Sequence, residues 1–198
     1  MMILKDLKES TAEMHEQLES LVSVLDESGT LESYKALIAR FFLLYRAIEG
    51  AMPAAELRAK GYDLSVRAKL PSLETDIAAL GIANPEHLAG IAEPVSIDIR
   101  SLDRAFGAAY VLEGATLGGQ VISRHLKAEL GIGPENGGAF FNSYGKAVGP
   151  MWKEFGAAIT AFAEAGADNA AIIDGAKDTF GLFIRCFADG RKVRSMSN

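Results

Sequence analysis

The chain has 198 residues and a formal net charge of −6, with 49% hydrophobic and 23% charged residues. A chain of this length and composition fits one folded domain, and we predict a single domain over residues 1–198. The acidic balance argues against a nucleic-acid partner, which needs clustered lysine and arginine. No stretch reaches about 18 apolar residues and no apolar leader is present, so we expect no membrane partner and a cytoplasmic location.

Apolar residues recur at three- and four-residue steps along most of the chain, and the alternation typical of strands is nearly absent. The pattern therefore predicts an all-α fold. Local signals mark some helix ends, because Asn84 and Pro85 form a helix start and Gly131 follows Leu130 at a helix end. We place helices near residues 2–25, 32–51, 71–80, 85–91, 98–130, 137–146, 150–165 and 168–188.

The first predicted helix carries a histidine on its apolar face. His15 shares that face with Leu7, Thr11 and Leu18, so the pattern points its side chain inward. One interpretation is a hydrogen-bonded core histidine. The other is a metal ligand, because Glu19 lies four residues later and can accept the proton on Nδ1, which leaves Nε2 free.

A long mid-chain helix contains more glycine than helix stability favours. Gly107, Gly114, Gly118 and Gly119 each cost about 0.5–1 kcal/mol relative to alanine in a helix interior. Gly114 and Gly118 are four residues apart and stack on one face. Such bare backbone allows either close packing of a second helix or close approach of a flat ligand. Gly119, next to Gly118, exposes backbone over a wider part of the helix surface and so favours the ligand interpretation. The helix could kink across a planar ligand at these glycines.

These segments together resemble the biliverdin-producing heme oxygenase family. The resemblance rests on HEQLE, on LEGATLGGQVISRHL, on AFFNSYGKAVGPMWKEF and on YKALIARFFLLYRAIE, and it runs from about Lys8 to Phe187. It is nearest to the bacterial members, including the bacteriophytochrome-associated type. It implies a single-domain helical bundle that holds heme b between a proximal helix and a kinked, glycine-rich distal helix.

The resemblance also assigns roles to individual positions. His15 matches the proximal iron ligand, and Glu19 matches its hydrogen-bonding carboxylate. Gly114 and Gly118 match the distal glycines that position oxygen and carry the catalytic role. The remaining positions that the resemblance places at the heme are Gly119 on the distal helix, the cations Lys8, Lys153 and Lys177 and the tyrosine Tyr110 near the propionates, and Phe180 and Phe187 on the last helix.

One position departs from the family pattern. The mammalian-type motif has an acidic residue directly after the glycine that matches Gly114, whereas this chain has Ala115. Glu113 points about 160° away around the helix and does not simply replace it. The implied reaction still converts heme and dioxygen to biliverdin, carbon monoxide and ferrous iron. Its electrons would come from a ferredoxin or a flavin reductase, and a bilin-using photoreceptor is a candidate downstream partner.

Other interpretations of the same residues remain open. A heme carrier or sensor could use His15 without turnover, and a purely structural helical domain would use it for packing. Di-iron bundles are disfavoured because paired Glu-x-x-His segments are absent. His87, His125 and a Cys186 thiolate are weaker iron ligands than His15, since the two histidines fit the surface and the cysteine has apolar neighbours. We expect a monomer.

Overall fold

The computed structural model describes residues 2–22 and 29–195, with side chains described as far as residue 188. Within these ranges the chain forms helices and no strand, so the all-α prediction is confirmed. None of the described helices is long and apolar enough to cross a membrane. In chain order the helices are α1 (Met2–Val22), α2 (Leu31–Ala51), α3 (Ala54–Ala59), α4 (Leu64–Arg67), α5 (Leu70–Ala79), α6 (Pro85–Ala89), α7 (Leu102–Leu130), α8 (Ala139–Asn142), α9 (Val148–Glu164) and α10 (Asn169–Ser195), with a 3-10 turn at Gly145–Ala147.

The predicted helix ends marked by local signals are correct. The side chain of Asn84 accepts a hydrogen bond from the backbone N–H of His87 at the start of α6. Gly131 ends α7 in the left-handed conformation. The predicted start of α7 at residue 98 is four residues early, because Ser101 is extended and its hydroxyl accepts from the N–H of Arg104. Residues 23–25 of the first predicted helix lie outside the described ranges.

Two parts of the chain differ more from the prediction. The helix predicted over 137–146 is divided, because Ser143 at φ 38° ends α8 and a separate 3-10 turn follows. Short helices α3 and α4 form in a segment where the sequence predicts none, and each is shorter than two turns. Helices this short have little periodicity to detect, and their stability comes from tertiary packing.

The longest described helices, α7 and α10, cross at very short range. A Cβ atom on Gly107 would lie 2.6 Å from the backbone nitrogen of Ala176, and one on Gly175 would lie 2.6 Å from the Cα of Arg104. Both distances are shorter than ordinary van der Waals contact. The two glycines therefore allow the backbones to touch, and glycine packing at this crossing explains Gly107.

Helix α1 packs on α10 and α9, and it has little direct contact with α7. Its N-terminal part is anchored by the buried side chains of Ile3, Leu7 and Thr11, and the Thr11 hydroxyl donates to the carbonyl of Leu7 at 2.8 Å. Beyond Thr11 the same helical face borders a cleft between α1 and α7. The fold thus places the histidine helix and the glycine helix on opposite sides of one open space.

Candidate functional site

The cleft between α1 and α7 has a volume of about 690 Å³. This lies within the range of about 300–1,000 Å³ that holds cofactors and small molecules. Helices α2, α8 and α10 close the cleft with aromatic side chains, which exclude water from its inner part. These side chains are Phe41, Tyr45, Phe140, Phe141, Phe180 and Phe183.

His15 faces this cleft rather than the core. Its side chain is 58% exposed, and its ring lies edge-on to Phe180 with the centroids 6.0 Å apart. The core-histidine interpretation is therefore wrong. Nδ1 lies 3.6 Å from a carboxylate oxygen of Glu19, which is longer than a hydrogen bond, although both groups are exposed and on adjacent turns. The arrangement leaves an imidazole nitrogen available to the cleft.

The glycines of α7 separate into two kinds. Gly114 and Gly118 line the cleft, and added Cβ atoms would meet only Trp152 at 4.0 Å and nothing within 4 Å, respectively. None of the described helices packs on this bare backbone, so helix packing does not explain these two glycines. Gly119 also borders the cleft, but its Cβ would lie 2.9 Å from the carbonyl oxygen of Phe141. Close approach of α8 accounts for Gly119. Helix α7 remains α-helical through all of them.

The structure brings some of the other predicted residues to the cleft and not the rest. Lys8, Tyr110, Phe180 and Glu19 line it. Lys153 and Lys177 are exposed and lie outside its lining, and so does the buried Phe187.

The positions of Lys153 and Phe187 on their helices explain why these two residues lie outside the lining. Trp152 turns toward Tyr110, with ring centroids 5.9 Å apart, and the next side chain along α9 points outward. Phe187 lies two turns beyond Phe180 and packs on Phe41 in the core at 5.3 Å. Phe183, between them, does reach the cleft.

A buried cluster of charges lies beside the cleft, and sequence reasoning missed it. Glu113, on α7, is 1% exposed and pairs with Arg67 at 3.1 Å and with Lys69 at 4.0 Å. The hydroxyls of Tyr62 and Tyr144 also donate to Glu113, at 3.2 and 2.8 Å. The sequence offered one signal, because Glu113 is the single charged residue in a long uncharged stretch of α7. Its partners could not be identified, because they are far away in sequence.

Lys69 is the member of this cluster that reaches the cleft. Its side chain is 5% exposed, and its ammonium donates to the carbonyl of Arg67 and to the Tyr144 hydroxyl. Burial lowers the pKa of Lys69 to about 8, although Glu113 and Glu49 favour the charged form. The backbone N–H of Lys69 donates to Glu49 at 2.7 Å, which fixes this segment against α2.

Comparison with known proteins gives a family match over almost the whole chain. The model of the heme oxygenase family matches residues 1–189. No curated protein matches. Among solved structures, the chain is similar to the NO- and CO-bound heme oxygenase from Neisseria meningitidis, at 21% identity and a TM-score of 0.77. The alignment covers 95% of this chain and 91% of that chain, and at this identity the likeness shows a shared fold.

Proposed function

The chain belongs to the heme oxygenase family, whose members bind and degrade heme, and we propose that this protein cleaves heme to biliverdin, carbon monoxide and ferrous iron. The observation that carries the proposal is that His15 and the open backbone at Gly114 and Gly118 face one cleft from opposite helices. A flat ligand with a metal at its centre can bind between two such helices, with a nitrogen donor on one face of the ring and closely approaching backbone on the other.

The residues of the cleft fit heme. The imidazole of His15 would hold the heme iron, with Glu19 one turn away to orient the ring. The aromatic floor matches the apolar edge of a porphyrin, and Lys8 at the cleft is a cation for a propionate. Lys153 and Lys177 have no part in this arrangement. Bound heme would supply both the iron that takes dioxygen and the carbon that is oxidised.

The protein's own contribution is orientation and exclusion of water. Gly114 and Gly118 leave open space beside the helix, where the backbone would hold a bound ring and its small ligand in one orientation, and such orientation favours reaction between groups already held together. Phe180 and Phe183 close the inner wall. Electrons would come from a ferredoxin or a flavin reductase, and a photoreceptor that uses the bilin remains a candidate consumer of the product.

The test is an absorption titration of the protein with one equivalent of hemin, followed by addition of a reductant in air with catalase present. We expect a histidine-type Soret band that decays as a broad red biliverdin band grows. His15→Ala should lose the histidine-type spectrum, whereas His87→Ala, a change at an exposed histidine outside the cleft, should retain it. A normal heme spectrum in His15→Ala would refute the ligand assignment.

A heme carrier or sensor is the second candidate, and one observation favours it. Ala115 lines the cleft and offers no polar atom at the position where related motifs have an acid. In that case the Soret band would form and persist after reduction in air. Turnover to a red-absorbing product would exclude this alternative.

A further inference from the structure

Lys69 and Ser143 are among the polar side chains that line the cleft without belonging to the predicted heme site. Lys69 is tied to α7 through its ion pair with Glu113, the residue before Gly114. Ser143 ends α8, whose aromatic residues form part of the cleft floor. Both side chains therefore belong to the half of the cleft that borders α7.

Lys69 has donor capacity that its neighbours do not use. An ammonium group has three N–H bonds. Among the described side chains and backbone, Nζ makes two hydrogen bonds, to the Arg67 carbonyl and to the Tyr144 hydroxyl. The carboxylate of Glu113 is 4.0 Å away, which is beyond hydrogen-bond distance. Nζ also lies over the Tyr144 ring, 3.8 Å from its centroid, so one N–H makes no hydrogen bond with the described groups and contacts only a ring face. A ligand in the cleft, which Lys69 lines, would compete with that weaker contact.

Ser143 has an unused hydroxyl in a strained conformation. Within the described part of the chain, its Oγ is the buried side-chain polar atom with no hydrogen-bond partner. Its φ of 38° lies in the region that L-residues rarely adopt. A buried hydroxyl without a partner and a strained backbone are both costly, and they persist where a ligand site needs them.

We propose that the Lys69 ammonium and the Ser143 hydroxyl form a donor site for a small anion or a water molecule on the α7 side of the cleft. The proposal rests on the proposed function, since the bound heme would form the other side of the site. Lys69 and Ser143 are then positioning residues. They supply the polar groups that Ala115 cannot, and Tyr144, Glu113 and Arg67 hold the ammonium in place.

The charge on Lys69 depends on the groups that face it. Burial and the positive charge of Arg67 disfavour the charged form of Lys69, whereas the carboxylates of Glu113 and Glu49 favour it. The Tyr144 hydroxyl accepts a hydrogen bond from the Lys69 ammonium and donates one to Glu113. The pKa of Lys69 is about 8, so the positive charge is present at pH 7 and is lost above pH 8. An anion held by this group should therefore bind more weakly as the pH rises.

Azide is the probe, titrated into the ferric hemin complex and followed by the Soret shift. Lys69→Met should bind azide about tenfold more weakly than wild type at pH 7, which corresponds to about 1.4 kcal/mol. Ser143→Ala should weaken azide binding roughly threefold, the effect of one neutral hydrogen bond. Lys146→Met removes the same charge from an exposed lysine outside the cleft lining and should leave the affinity unchanged.

The pH dependence of azide binding gives a second measurement on wild type and Lys69→Met. The ratio of azide affinities between wild type and Lys69→Met should fall toward about one by pH 9.5 as Lys69 loses its proton. If Lys69→Met does not fold, Ser143→Ala and Lys146→Met decide the question. Equal azide affinity in all variants that bind hemin overturns this site and leaves the proposed function intact. Failure of the wild-type protein to bind hemin refutes both.

Discussion

Gly118→Ala is expected to change stability and heme binding in opposite directions. The new methyl group would meet none of the described atoms within 4 Å, so we expect no clash. Alanine is favoured over glycine in a helix interior, and the free energy of unfolding of the heme-free protein should rise by about 0.5–1 kcal/mol. The methyl group projects into the cleft, where the proposed heme approaches. Crowding of this kind costs about 1–3 kcal/mol and should weaken hemin binding roughly 5- to 150-fold.

The assay pairs urea unfolding of the heme-free protein with hemin titration of the same sample. Gly149→Ala is the matched control, because Gly149 is also helical and open but lies outside the cleft lining; it should gain stability in the same direction as Gly118→Ala and keep its hemin affinity. Gly107→Ala provides the contrast. Its methyl group would strike the backbone of α10, and the protein should be destabilised by at least about 1–3 kcal/mol.

A loss of stability in Gly118→Ala would show that the space beside this glycine is not open. Unchanged hemin affinity in the same variant would show that the α7 backbone does not approach the ligand. Either result would refute the assignment of Gly118 to ligand approach rather than to helix packing.

Three further predictions concern the charges around the cleft. Asp76→Asn should lower the free energy of unfolding by about 1.5–3 kcal/mol in urea, because the carboxylate accepts from two backbone N–H groups at the start of α8, at 2.8 Å each; an unchanged midpoint would contradict this. Arg67→Met should cost about 3–5 kcal/mol, since it removes the closest cation from the buried Glu113, and a loss under about 1 kcal/mol would show that the other partners suffice. Because the pKa of Lys69 is lowered to about 8, the unfolded chain binds more protons than the folded chain above that pH. Wild-type stability should therefore rise relative to Lys69→Met by about 1–2 kcal/mol between pH 8 and 9.5, and a flat difference in urea unfolding would refute the shift.

The sequence was sufficient for the helical architecture because long amphipathic segments carry a repeated signal. It located α2, α5 and α9 to within two residues at each end. It was also sufficient to find His15 and the glycine-rich helix. The pattern pointed His15 inward, whereas the structure places its side chain at the cleft with 58% exposed, because the pattern of one helix cannot tell a core from a cleft. That difference depends on which helices surround the residue, and the spacing along one helix does not encode it.

The four glycines of α7 show where local reasoning ends. Gly107 and Gly119 pack against backbone, whereas Gly114 and Gly118 face open space. All four have the same chemistry and lie within thirteen consecutive positions of one helix. What distinguishes them is the approach of α10 at one point and of α8 at another, and both contacts join segments far apart in sequence.

The buried cluster around Glu113 could not be predicted from the sequence for a related reason. Of its cation partners, Arg67 is the last residue of α4, a short helix that the sequence did not predict, and Lys69 follows two residues later. Tyr144 follows the strained residue that divides the helix predicted over 137–146. Each partner alone resembles an ordinary surface residue. Only the folded chain brings them to one point beside the cleft.

Gly107 and Gly119, the two glycines that pack against backbone, also bear on the shape of ligand that we expect the cleft to accept. Helix α7 is supported by α10 at Gly107 and by α8 at Gly119, and the stretch with Gly114 and Gly118 spans the gap between these supports. Because α7 is packed on both sides of this stretch, we expect its backbone at Gly114 and Gly118 to move little when a ligand contacts it. We therefore expect the cleft to select its ligand by thickness, so that a flat ring fits beside Gly114 and Gly118, whereas a ring with bulky groups above its plane would clash with the α7 backbone.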